Sequence, residues 1–121
     1  MAIHIERVYG YSPSSQPAFL VDRLWPRGIS KTDLDGVEWA KDVAPSPPLR
    51  IWFGHRAERF DDFARRYRRE LEGREGPLKA LLKAASKGDI TLLYAAKDPE
   101  CNHALVLRDF LNERVSAQSD R

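Results

Sequence analysis

The sequence predicts a single small α/β domain with a short, mostly parallel sheet and helices packed on both faces. Three observations lead to this class. The chain has 121 residues, enough for one hydrophobic core. Segments with strand-like and helix-like apolar spacing follow one another along it. The segment DITLLYAAKD, residues 89–98, is apolar on both of its alternating faces, as expected of a strand covered on both sides.

The first part of the chain predicts short strands separated by loops. Residues 3–9, IHIERVY, alternate between apolar and polar side chains, which is typical of a strand with one buried face. Residues 18–22, AFLVD, form a continuous apolar run that favours a central strand. Residues 28–36 are rich in Gly, Ser, Thr and Asp and are expected to be mostly loop, and residues 37–44, VEWAKDVA, are interpreted as another short strand.

The rest of the chain predicts four helices around the strand at 89–98. Ser46 can cap a helix that opens with two prolines, because the first helical residues have no intrahelical partner for an N–H, and Gly54 can end it. A second helix is predicted over about residues 56–72 from its apolar stripe. A third begins at Pro77 and ends at Gly88, and Asn102 can cap the last one.

Composition narrows the class of protein. Hydrophobic residues make up 42% and charged residues 31%, as in ordinary globular domains. The single cysteine, Cys101, excludes an intramolecular disulfide. No signal peptide and no membrane-spanning run is recognised, so we expect a cytoplasmic protein with no membrane partner. We place the domain at residues 1–115, expect residues 116–121 to be a frayed tail, and predict no particular oligomeric state.

Three of the predicted strands run directly into clusters of polar side chains. Because ligands bind outside the carboxyl ends of strands in open α/β sheets, parallel strands would bring these clusters to one edge. The sequence therefore predicts a cleft that gathers residues far apart in the chain. The residues predicted to bind ligand there are Arg23, Arg27, Lys41, Ser46, Arg50, His55, Lys97 and Asn102.

The predicted cleft favours an anion, because its positive charges outnumber its negative ones. Arginine presents a planar fork that suits phosphate or carboxylate, and helix N-termini near Ser46 and Asn102 would add backbone N–H groups. A small anionic ligand is therefore the expected partner. The net charge is only +2, so a nucleic-acid partner, which is the alternative, would have to bind a local basic patch.

Three residues are candidates for proton transfer: His103, Asp98 and Asp22. His103 lies at the predicted start of the last helix and is the best candidate acid or base, and Asp98 could orient it. Two of them have a structural alternative as well. Asp22 could pair with Arg23, and His103 could be a satisfied structural histidine.

The usual cofactor and metal motifs are absent from the sequence. It contains no glycine-rich nucleotide-binding loop and no nucleophile elbow. The three histidines show no metal-ligand spacing. We therefore predict neither a cofactor nor a metal site.

Several motifs of the chain resemble those of a known family. They are VDRLWPRG at 21–28, KDVAPS at 41–46 followed by LR and WFGH, TLLYAAKD at 91–98 and NHA at 102–104. Their order from Ile3 to Leu111 resembles the YeaO-like family, domain-of-unknown-function family 488. The resemblance implies a small α/β protein and no particular reaction. Where relatives carry Cys-His-Arg this chain has Asn-His-Ala, so a thiol nucleophile is missing at Asn102.

Two functions remain open at this point. The first is an enzyme acting on a phosphate-bearing small molecule, a nucleotide or a nucleic-acid base, with cations binding the charge and His103 or Asp98 moving protons. The second is a non-catalytic module that binds nucleic acid or a regulatory ligand in the same cleft, with help from the arginine-rich helix at 56–72. A purely structural role for the polar clusters is the third interpretation.

Overall fold

The computed structural model describes residues 2–119 and contains one four-stranded, wholly parallel sheet. The strands are β1 (Ile3–Arg7), β2 (Ala18–Leu20), β3 (Glu38–Trp39) and β4 (Ile90–Tyr94), in the spatial order β1-β4-β2-β3. The predicted α/β class and parallel sheet are confirmed. No helix in this part of the chain is both long and apolar enough to cross a membrane.

β4 is the centre of the sheet, and all five of its residues are buried. It pairs with β1 in the register Ile3↔Ile90 and with β2 in the register Phe19↔Leu92. The outer strands are shorter than predicted because the chain turns early. The strand predicted at 3–9 ends at Arg7, where a 3-10 turn over Val8–Gly10 begins.

The four helices are α1 (Pro47–Phe53), α2 (Phe60–Glu72), α3 (Glu75–Lys87) and α4 (His103–Ser119). The predicted caps of α1 are confirmed. The Ser46 hydroxyl accepts from the Leu49 N–H at 3.4 Å, and Gly54 adopts the left-handed conformation that ends the helix. The Asn102 side chain likewise accepts from the Leu105 N–H at 3.1 Å, as expected of a cap for α4.

Two boundaries differ from the predictions. α2 is preceded by a 3-10 turn over Ala57–Arg59, and α3 begins two residues before Pro77, which is tolerated because proline fits the first helical turn. At the other end, the predicted tail 116–121 begins inside α4, and residues 120–121 lie outside the described residues.

All four α-helices contribute to one core on one face of the sheet. The residues of β2 and β4 that point to this face pack with apolar side chains from every helix. The other face is covered by the turn after β1 and by the loop between β2 and β3, through Val8, Trp25, Ile29 and Leu34. The sequence predicts helices on both faces, whereas the folded chain covers this second face with a turn and a loop.

Connection handedness explains this segregation. The chain passes from β1 to β2 to β3 in one direction across the sheet, so right-handed connections place both links on the same face. The return from β3 to β4 carries α1, α2 and α3 across the opposite face. The β2–β3 link contains Pro26 and two glycines with positive φ, Gly28 and Gly36, so it covers its face without forming an α-helix.

Candidate functional site

A cleft of about 640 Å³ lies at the carboxyl ends of β2 and β4. Its walls come from the segment after β2, the segment after β4, the start of α4 and both ends of α1. It lies where parallel strands end, as the sequence predicted. The lining residues, which we call the strand-end cleft, are Tyr9, Asp22–Arg27, Ala44, Pro45, Arg50, Phe53, His55, Phe63, Ala95–Asp98, Asn102 and His103.

Most of the predicted site residues line this cleft, and two do not. Lys41 and Ser46 are missing from the lining, since Lys41 belongs to a 3-10 turn over Lys41–Val43 and Ser46 is held by Glu70. The Lys41 ammonium instead lies 5.3 Å from the centroid of the Trp39 ring. The Ser46 backbone N–H donates to Oε1 of Glu70 at 2.9 Å, and its hydroxyl donates to the other oxygen of that carboxylate.

Asp22 and His103 form a mostly buried pair between β2 and α4. Each side chain is 15% exposed, and Nε2 of His103 lies 2.9 Å from Oδ1 of Asp22. The ring N–H has hydrogen-bond geometry toward the Val21 carbonyl oxygen at 3.1 Å, whereas Oδ1 has no hydrogen-bond partner among the described residues. The Asp22–His103 contact is therefore an ion-pair distance without hydrogen-bond alignment. Since a carbonyl only accepts, Nε2 bears the proton in this hydrogen bond, and Nδ1 is the ring nitrogen that can accept one.

Asp22 also fastens the end of β4. Its Oδ2 accepts from the Ala95 N–H at 2.9 Å, and its backbone oxygen accepts from the Trp39 indole N–H at 2.8 Å. The ring of Trp39 meets that of Trp25 edge to face at 5.4 Å. Asp22 thus ties β2, β3 and β4 together at the point where the cleft begins.

Asp98 and Asn102 are committed to the loop that leads into α4. Oδ1 of Asp98 accepts from the N–H groups of Glu100 and Cys101 at 2.8 and 3.1 Å. The Asn102 amide donates to the Asp98 carbonyl at 2.8 Å, and its own oxygen caps α4. These groups build the loop, and only Oδ2 of Asp98 remains without a hydrogen bond in the described structure.

The cations of the cleft have no internal partners. Nε of Arg23 is buried without a hydrogen bond. Among the described arginines, the side chains without a hydrogen bond, ion pair or ring contact are Arg23, Arg27, Arg50 and Arg69. The first three of these line the cleft. Lys97 also lines it and likewise has no partner among the described residues. The other described arginines contact carboxylates, carbonyls or rings.

An aromatic row forms the floor of the cleft. Phe53 and Phe63 stack with centroids 4.3 Å apart, and the His55 ring lies 6.1 Å from that of Phe53. Tyr67 extends the row from Phe63 at 5.7 Å to His103 at 6.4 Å. The apolar stripe of α2 predicts Phe63 and Tyr67 as core residues, and both are buried in the core. The sequence contains one sign that the core residue Phe53 also borders the site. Phe53 lies close in the chain to Arg50 and His55, which were both predicted to bind ligand.

His55 is the one described non-glycine residue with positive φ, at 58°. It follows Gly54, itself in the left-handed region, and its exposed ring lies at the cleft. Histidine adopts this conformation more readily than most residues. Tyr9 is a further lining residue, one that no motif in the sequence indicates; its hydroxyl donates to the Arg27 carbonyl at 3.1 Å and so holds the 21–28 segment.

The described residues contain no group of three or more His, Cys, Asp or Glu side chains that could hold a metal ion. Cys101 follows the Asp98 loop and is partly buried. Burial raises the pKa of its thiol, and the carboxylates of Asp98 and Glu100 raise this pKa further. A raised pKa keeps the thiol protonated at neutral pH, so Cys101 is a poor nucleophile.

Comparisons with known proteins identify relatives over nearly the whole chain. The family model DUF488-N3i, described as the inactive DUF488-N3 subclade, matches residues 2–121. Uncharacterized protein YeaO of Escherichia coli K12 is 46% identical over 112 residues, which cover 92% of this chain and 97% of the relative. Uncharacterized protein Rv3073c of Mycobacterium tuberculosis H37Rv is 42% identical over 113 residues, 93% of this chain and 95% of the relative. No solved structure matches the chain significantly.

Proposed function

Since the chain belongs to the YeaO-like DUF488 family, in its DUF488-N3 subclade, we propose that the strand-end cleft is a non-catalytic binding site for the phosphate group of a small ligand. The observation that carries this proposal is the set of unpaired cations. Arg23, Arg27, Arg50 and Lys97 border one cleft and have no partner in the described chain.

Electrostatics supports an anionic ligand. Arg23 carries this argument, because its Nε is buried without a hydrogen bond and so loses hydration with no opposite charge in return, whereas Arg27, Arg50 and Lys97 are exposed and add positive charge around it. A phosphate would supply that charge and could accept two parallel N–H bonds from an arginine fork. The carboxylates nearby, Asp22 and Asp98, do not serve this purpose, because the one binds Ala95 and His103 and the other binds its own loop.

Most candidate catalytic groups of the described lining are engaged in structural contacts, which supports binding without turnover. Nε2 of His103 donates to the Val21 carbonyl, and Asn102 caps α4 with its amide. The lone thiol, Cys101, is poorly nucleophilic. The matching family model is described as inactive, in agreement with this interpretation. Catalysis by His103, Asp98 or Asp22 stays a prediction, which incubation of the protein with a phosphate ester tests.

The test is titration calorimetry with inorganic phosphate at low and moderate salt. Arg27→Ala and Arg50→Ala should each weaken binding by roughly tenfold or more, which corresponds to one charge-assisted contact. Both side chains are exposed, so the folded state should survive. Arg69→Ala is the matched control, because Arg69 is likewise unpaired but lies on α2 outside the cleft lining.

Four results would count against the proposal. Failure of phosphate to bind removes the anion site. Equal losses in Arg27→Ala and Arg69→Ala would show a nonspecific charge effect. Release of phosphate from a bound ester over time would return the enzymatic hypothesis, with His103→Ala as its next variant. A steep loss of affinity with salt, seen only with single-stranded DNA or RNA, would instead favour the nucleic-acid module.

A further inference from the structure

We infer that the phosphate ligand carries an apolar ring, and that the cleft selects such ring phosphates over sugar phosphates of the same charge. This inference rests on the proposed function. It comes from the cleft's size, its floor and the scarcity of polar partners for anything other than the anion.

The size of the cleft shows that an anion alone does not fill it. At about 640 Å³ it falls in the range of sites that enclose drug-sized molecules, roughly 300–1,000 Å³. The four cations would bind only the anionic end of such a ligand. Much of the remaining lining is apolar, and this part comprises Leu24, Trp25, Pro26, Ala44, Pro45, Phe53, Phe63, Ala95 and Ala96.

The floor is suited to a flat, apolar group. Phe53 and Phe63 are 5% and 1% exposed and stack on one another, so packing holds both rings in place before a ligand arrives. Because these two rings are almost wholly buried, a ligand ring would gain its apolar contact chiefly from the exposed Leu24 and the half-buried Trp25, and only the exposed fraction of Phe53 would add to it. His55 adds a third ring at the exposed end of the row.

A sugar would find few side-chain acceptors for the protons of its hydroxyl groups. Oδ1 of Asp22 is buried beside His103, and the amide of Asn102 is used by α4 and the Asp98 loop. The lining contains no Ser, Thr, Gln or Glu. Oδ2 of Asp98, Nδ1 of His103, the His55 ring and the Tyr9 hydroxyl are the side-chain acceptors left in the described lining. Moving a hydroxyl group from water into the cleft without a hydrogen-bond partner costs binding free energy, and an apolar ring has no such cost.

The experiment compares ligands of equal charge by titration calorimetry. The probes are phenyl phosphate, ribose 5-phosphate, inorganic phosphate and the uncharged phenol. We expect phenyl phosphate to bind at least about tenfold more tightly than ribose 5-phosphate, the gain from burying one ring. Phenol alone should bind more weakly than phenyl phosphate, because it lacks the anion.

Two variants locate the effect. Phe53→Leu retains apolar bulk and removes the ring, so it should weaken the binding of phenyl phosphate by a larger factor than the binding of inorganic phosphate. Phe60→Leu is the control, because Phe60 lies 6.1 Å from Phe53 in the same aromatic cluster but does not line the cleft. If Phe53→Leu does not fold, the ligand series on the unaltered protein still decides the question.

The outcomes separate the two proposals. If inorganic phosphate binds but phenyl phosphate binds no more tightly than ribose 5-phosphate, the ring inference is overturned and the phosphate site stands. If none of the phosphates binds, the proposed function fails and the ring inference fails with it. A larger loss in Phe60→Leu than in Phe53→Leu would also overturn the assignment of the floor.

Discussion

Tyr67→Phe removes a single oxygen atom from the centre of the helical core. The Tyr67 side chain is fully buried, and its hydroxyl donates to the Val43 carbonyl at 2.5 Å. Val43 ends the 3-10 turn that precedes the cleft wall at Ala44 and Pro45. The variant therefore tests how the helical layer holds this wall in place.

The expected cost follows from the group left behind. Without the phenol, the Val43 carbonyl has no donor among the described residues and is shut away from water, which costs about 1–3 kcal/mol. Part of the loop stays anchored, since Arg74 donates to the carbonyls of Asp42 and Ala44. We therefore expect a loss of about 2 kcal/mol in the free energy of unfolding, with the fold retained.

Urea denaturation measures this loss, read from the midpoint at constant m value. Tyr94→Phe is the matched control, because Tyr94 is also buried but its hydroxyl has no hydrogen bond in the described structure. It should cost less than about 0.5 kcal/mol. Equal losses in the two variants would refute the assignment of the cost to the Val43 carbonyl.

High pH provides a second test of Tyr67. Burial raises the pKa of its phenol well above the usual 10.0, and Glu70 raises it further while Arg74 opposes the shift. A raised folded pKa means that the unfolded chain ionises first, so this contribution is complete below pH 10 and is lost as pH rises beyond it. The stability gap between the unaltered protein and Tyr67→Phe should therefore narrow above pH 10. A constant gap would contradict the shift.

Three further predictions concern single sites. Ser46→Ala removes the α1 cap and the hydroxyl contact to Glu70, and should cost about 1 kcal/mol in urea denaturation; unchanged stability would argue against the cap. Gly36→Ala should destabilise by about 1 kcal/mol because φ is 84° there, whereas Gly76→Ala, in helix α3, should stabilise by about 0.5 kcal/mol; shifts of the same sign would contradict the backbone argument. Iodoacetamide at pH 8 should alkylate Cys101 more slowly in the folded than in the unfolded protein, since its pKa is raised, and faster folded-state labelling would refute this.

Local signals in the sequence were sufficient to predict the helices and the central strand. Ser46, Gly54 and Asn102 are cap residues whose effect depends on the few backbone groups beside them, and all three act as predicted. β4 was recognisable because its two faces are both apolar. The exact ends of the strands were less predictable, since the turns after Arg7 and after Trp39 depend on packing against the second face.

The convergence of distant polar residues on one edge also followed from the sequence. It requires only that strands be parallel, because their carboxyl ends then share an edge. Asp22, Arg27, Lys97 and His103 are brought together in this way. Lys41 and Ser46 belong to the same motifs but lie elsewhere, because the direction of a turn is set by tertiary contacts such as those of Glu70 and Arg74.

What the sequence by itself determined is the class of fold, the positions of the caps and the edge at which polar residues collect. All of these depend on short-range spacing and on general rules of strand connection. The tertiary structure alone decided which groups are available to a ligand. Asp22, Asp98 and Asn102 are engaged by backbone groups, whereas Arg23, Arg27 and Lys97 are left unpaired in the described chain. Hydrogen bonding is a property of three-dimensional neighbours, so the difference between an engaged and an unpaired polar residue becomes visible only in the folded chain.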